Sequence, residues 1–137
     1  MRPAGERSVD FWLYVAACVA MIVGAFAPWA TALGGLLKVS GVDSGDGWFL
    51  VVGAVLALLL LLTGPTRPKL IVAAIAGAIC CAVVLYDLSD ARRVSDAFLG
   101  LVHVGWGLYL SAAAAIGLTV QAIRAALRPT IVGTPAA

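Results

Sequence analysis

Charge is scarce in this chain. Asp, Glu, Lys and Arg make up 12% of its 137 residues, about half the roughly 25% of an ordinary soluble domain. The shortage is concentrated in four stretches with no charged residue, Phe11 to Leu37, Gly47 to Thr66, Leu70 to Tyr86 and Ala97 to Ile123. Each has at least the roughly 17 residues needed to span a hydrocarbon layer about 30 Å thick, Leu70 to Tyr86 being nearest that limit. Other absences narrow the chemistry. A net charge of +2 is too small to mark a nucleic-acid binder. One histidine, His103, has no histidine or cysteine companion with metal-ligand spacing. No serine–histidine–acid set, phosphate-binding glycine loop or zinc motif is present. Cys18, Cys80 and Cys81 all sit in apolar runs, and an odd count with two neighbours argues against a disulfide framework. They read as inert packing residues. The sequence therefore predicts no enzyme, no cofactor and no metal site.

What is present is apolar: 63% of the residues are hydrophobic. The expected fold is all-α, a polytopic membrane protein with four transmembrane helices in an antiparallel bundle. Spans of about 11–33, 48–63, 69–86 and 101–123 form one domain, 11–124, between tails of residues 1–10 and 125–137. Ala25-Phe26-Ala27 imitates a leader-cleavage box, but Pro28 follows it, so an uncleaved first span is expected. Arg2, Arg7, Arg67, Lys69, Arg124 and Arg128 fall on one side of such a bundle; Lys38, Arg92 and Arg93 fall on the other. The excess of positive charge predicts both termini in the cytoplasm, at the cytoplasmic membrane. Trp12, Tyr14, Trp29, Trp48, Tyr86, Trp106 and Tyr109 lie near span ends, where amphipathic rings settle at headgroup depth. The short Thr63–Pro68 turn makes the second and third helices antiparallel neighbours.

Small residues indicate which faces pack. Ala16, Ala20 and Gly24 on the first helix, Gly77 on the third, and Gly107, Ser111 and Ala115 on the fourth allow backbones to approach closely. The leucine run Leu56–Leu62 suits a lipid-facing position.

The remaining polar residues gather in two outer loops. Asp43 and Asp46 belong to a glycine-rich turn that fails as a calcium loop, because the twelfth position from Asp43 is Ala54. Asp46 is expected to cap the second helix. Asp87 lies at the C-terminal end of the third span, where the helix dipole disfavours an anion. It is expected to pair with Arg92 or Arg93, with Asp90 nearby. A proton or cation relay through Asp87 has no second acidic residue inside a span to receive the ion.

Pro28-Trp29, the loop Ser40–Trp48, Tyr86-Asp87-Leu88 and Val104-Gly105-Trp106-Gly107-Leu108 form one pattern across nearly the whole chain. It resembles the small four-helix membrane proteins of unassigned function widespread in actinobacteria. The resemblance implies a fold and a host group, and no catalytic residues. The function expected is an accessory or scaffold component that contacts the lipid bilayer, other membrane proteins or copies of itself. The alternatives are a small oligomeric transporter or channel, and a prophage-type envelope exclusion protein.

Overall fold

Trp29 explains why the first helix stops where it does. In the computed structural model, which describes residues 4–64 and 66–127, helix α1 spans Ala4–Phe26. Pro28 has no N–H to donate to the carbonyl of Gly24 four residues earlier. The Trp29 indole Nε1 donates to that carbonyl instead, at 2.9 Å. The chain then leaves the helix as strand β1, Pro28–Ala32. A first span reaching residue 33 is thus corrected: the helix ends at Phe26 and the next residues are extended. The helix also begins within the expected N-terminal tail, and the C-terminal tail lies outside the described residues from position 128.

A short 3-10 turn, Leu33–Gly35, leads to strand β2, Leu37–Ser40, and to the single-turn helix α2, Gly41–Ser44. Helix α3 covers Gly47–Leu62. Helix α4, Arg67–Ala97, is 31 residues long; strand β3 is Val102–Val104 and helix α5 is Trp106–Leu127. The described residues are 79% helical. The β segments form a three-stranded antiparallel sheet in the order β2-β1-β3, with Thr31 opposite both Lys38 and His103. The expected all-α fold does not include this sheet. It takes Val102–Val104 from the expected fourth span, so α5 starts at Trp106.

The third span differs in the other direction. Instead of entering a loop after Tyr86, α4 continues to Ala97, because no glycine or proline interrupts the segment before Gly100. It ends where Leu99 and Gly100 adopt left-handed backbone conformations, φ 52° and 78°.

The helices form a ring in which α1 touches α3 and α5, and α4 touches α3 and α5. The short α3–α4 connection does make these two neighbours. Inward faces repeat at helical spacing: Tyr14, Cys18, Met21 and Ala25 on α1, Leu50, Ala54 and Ala57 on α3, Ala73, Cys80 and Val84 on α4. Gly24 lies against Ser111, Gly77 against Thr119, and Gly107 against Ala27. Ala115 and Ser111 are fully buried. Ala20 is half-buried, and Ala16 is exposed. Ala16 is therefore corrected: it lies about 200° around the helix from Cys18, away from the face that packs.

Tyr14 and Trp29, expected near span ends, are buried within the protein. Tyr14 donates to the Ala57 carbonyl at 3.3 Å. By length and hydropathy, α4 and α5 are each long and apolar enough to cross a membrane; Asp10–Phe26 and Gly47–Leu62 are shorter apolar helices.

Candidate functional site

The sheet and the extension of α4 together build a cap over one end of the helical ring. Its packing centre is Trp29. Gly41 sits so close to the indole that a Cβ would lie 2.2 Å from the ring, and a Cβ on Gly105 would lie 2.0 Å from the Pro28 carbonyl oxygen. The Gly105 N–H donates to the Trp29 carbonyl at 2.7 Å. The motifs spread through the sequence as Pro28-Trp29, Gly41 and Gly105 thus meet at one point.

Beside this centre the cap lines a half-open cleft of about 270 Å3. Ser44, Asp46, Asp87, Asp90 and His103 form its polar lining, and Trp29, Val94 and Leu108 contribute apolar wall. Of the acidic residues singled out in the sequence, Asp46, Asp87 and Asp90 are brought together. Asp43 is not: it closes a capping box on α2, its carboxylate accepting from Ser40 N–H at 3.2 Å and Ser40 Oγ–H at 2.7 Å. These bonds hold the Asp43 carboxyl below its ordinary pKa.

Two expected roles change. Asp46 occupies the N-cap position of α3, but its side chain makes no cap bond. Its backbone is helical, φ −73° and ψ −27°, which places it outside the extended geometry of a capping side chain. Asp87 lies beside Asp46 and Asp90 and, among the described residues, makes no ion pair with Arg92 or Arg93. Both arginines are exposed on the α4 extension. Continuing the helix past Tyr86 carries them around the axis away from Asp87, a consequence of roughly 100° per residue.

Asp87 is the strained member. Its Oδ2 is sealed from solvent and has no hydrogen-bond partner. Burial, then the neighbouring Asp46 carboxylate, then Asp90, push its pKa up to about 6. A proton on Asp87 removes the repulsion from its neighbours and lets it donate to Asp46. The sign of the linkage follows. The folded chain holds the Asp87 proton more tightly than the unfolded chain does, so this group's contribution to stability falls as pH rises from about 4 through about 6. Asp43 works oppositely, but only below the ordinary carboxylate range. Asp87→Asn is expected to raise the thermal midpoint at pH 7 and to flatten its slope between about pH 5 and 7. An unchanged slope in detergent-solubilised protein would refute the raised pKa of Asp87.

His103 and Ser44 were not assigned to a common site from the sequence. A valine–histidine–valine alternation at residues 102–104 is a short strand signal, but three residues are too few to stand out. Among the described residues, no three acidic, histidine or cysteine side chains converge as a metal site.

The tip of the cap is apolar. Leu33, Leu36 and Leu37 lie in and beside the β1–β2 turn, and Phe98, Leu99 and Leu101 in the α4–β3 turn. All six are exposed, Leu36 at 85% and Leu99 at 94%. Leu33 N–H donates to the Leu101 carbonyl at 3.3 Å, tying the two turns together. Leu33 and Leu99 hold φ of 51° and 52°, a conformation that costs a branched side chain roughly 1–2 kcal/mol. No protein-family model, curated protein or solved structure matches the chain.

Proposed function

We propose that this chain is a four-span protein of the cytoplasmic membrane that works as a non-enzymatic accessory or scaffold, docking another envelope or membrane protein on its cap. The observation that carries the docking role is the apolar tip. Six large apolar side chains stand together away from the helical ring, and two of them are presented by unfavourable backbone conformations. Local strain at exposed apolar residues marks a surface built for contact.

The outward faces of all four long helices support the membrane setting. They expose Val19 and Val23 on α1, Val52 and Leu59 on α3, Ile75 and Ile79 on α4, and Ile116 and Val120 on α5. Such a ring is dissolved by lipid and not by water. The 16 residues of α3 reach about 24 Å, which a slightly thinned bilayer accommodates. The basic residues at the opposite end from the cap favour a cytoplasmic location for that end and an outer location for the cap. For the transporter alternative the core offers little: among the described residues, Ser111 is the one buried polar side chain.

The test is a photo-crosslinking amino acid placed at Leu36 and at Leu101 in cells. Both positions are expected to trap a discrete heterologous protein, while the same probe at Leu59 on α3 gives no such band. Crosslinks confined to lipid or to a second copy at both cap positions would contradict the accessory reading.

A further inference from the structure

The foot of the bundle holds a second feature. Between α4 and α5 runs a groove of about 350 Å3, walled by Ile71, Ile75 and Ala78 on one side and Thr119, Ile123 and Leu127 on the other. Its wall is almost wholly apolar, and it lies between the two helices long and apolar enough to cross a membrane. At its lower end stands Arg67, four residues before Ile71 and so on the same face of α4. Arg67 Nε donates to the Ala126 carbonyl at 3.1 Å, fixing the guanidinium at the mouth of the groove. The four N–H donors on its two terminal nitrogens have no protein partner among the described residues. Arg124, exposed in the last turn of α5, lies three residues before Leu127 and adds a second positive charge. Lys69 is engaged elsewhere, donating to the Thr63 carbonyl and hydroxyl. The first turn of α4 also begins without a side-chain cap, and although Pro68 offers no N–H, the positive end of the helix dipole there favours an anion.

We infer that this groove binds an anionic phospholipid, one acyl chain lying between α4 and α5 and the phosphate resting on Arg67 and Arg124. The inference rests on the membrane reading above. The occupant follows from charge complementarity: an uncharged channel with the Arg67 guanidinium fixed at its mouth, and a second cation, Arg124, exposed in the last turn of α5, matches a molecule with a long apolar tail and one anionic head. A packed neighbouring helix would fill the apolar part but would leave the Arg67 donors unmatched.

Native mass spectrometry of the full chain tests this, with the protein released from neutral detergent after incubation with equal amounts of phosphatidylglycerol and phosphatidylcholine of identical acyl chains. One retained phosphatidylglycerol is expected, favoured by about tenfold, in line with the attraction of two basic side chains for an anionic headgroup. Arg67→Gln should remove most of the preference, and Arg67→Lys should keep much of it. Ala78→Phe, on the exposed groove wall, should expel the lipid without entering the core. Inorganic phosphate at the same concentration should not compete. Equal retention of both lipids, or retention of phosphatidylglycerol by the Ala78→Phe protein, would overturn the inference. So would a wild-type dimer that Ala78→Phe converts to monomer, since a second copy would then occupy the groove. Release of the chain from membranes by alkaline carbonate would instead remove the membrane reading itself.

Discussion

Replacing Trp29 with alanine is expected to be the most damaging single change in the molecule, lowering stability by about 3–5 kcal/mol. Three losses coincide at this residue. A large side chain that is 5% exposed leaves a void beneath Gly41. The Gly24 carbonyl, already denied a donor by Pro28, loses the indole N–H, and an unsatisfied buried acceptor costs roughly 1–3 kcal/mol. The central strand β1 then loses the packing that holds it over the ring. Trp29→Phe should recover part of the effect, since it restores volume but not the donor. Thermal unfolding in detergent, together with protease cleavage of the cap, reads both parts. Loss of the cap with little change in the unfolding of the helices would show that the two units are less coupled than their shared tryptophan implies.

Ala115→Leu should be the second large effect. Ala115 is fully buried on α5, whose same face carries Ser111 against Gly24, so added carbons drive α5 from its neighbours. Overpacking of this kind typically costs about 1–3 kcal/mol. Leu59→Ala removes as much apolar volume as Ala115→Leu adds, but Leu59 is 54% exposed on the outer face of α3, where the change leaves no cavity in the core. A clear difference in midpoint between these two variants is the expected result. Similar losses would mean that the exposed and buried faces have been interchanged.

Only part of that contrast is legible in the sequence: small-residue spacing places Ala115 on a packed face, but the run Leu56–Leu62, expected to face lipid throughout, is corrected, since Ala57 is fully buried and Leu58, Leu60 and Leu61 pack against the core. Gly24, Ser111, Gly77, Gly107 and Ala115 all occupy contact positions. Ala16 does not, since a four-residue repeat drifts relative to 3.6 residues per turn and the buried stripe follows Tyr14, Cys18 and Met21 instead. The cap was hidden for a different reason. Pro28–Ala32 and Val102–Val104 are uncharged and adjoin helical runs, so hydropathy alone assigns them to the spans. Their strand pairing depends on residues 70 or more positions apart, Ala30 with Val104 for example, and on an indole bond no local pattern announces. In the sequence Asp46, Asp87 and Asp90 carry no sign that they meet. Their convergence required α4 to persist beyond Tyr86, where charged residues disguise a helix that a hydropathy rule ends.

The central claim is that the ring crosses a membrane with its cap outside. It is tested most directly by single cysteines probed in intact cells with a membrane-impermeant thiol reagent. Wild-type protein supplies the blank, because Cys18 and Cys80 are buried and Cys81 lies within the apolar run Leu70–Tyr86. Cysteines at Leu36 and Ala97 should label in intact cells, and cysteines at Thr66 and Thr134 only after lysis. Labelling of Thr66 and Thr134 in intact cells, with Leu36 and Ala97 protected, would contradict the orientation; equal labelling of all four only after lysis would contradict the crossing itself.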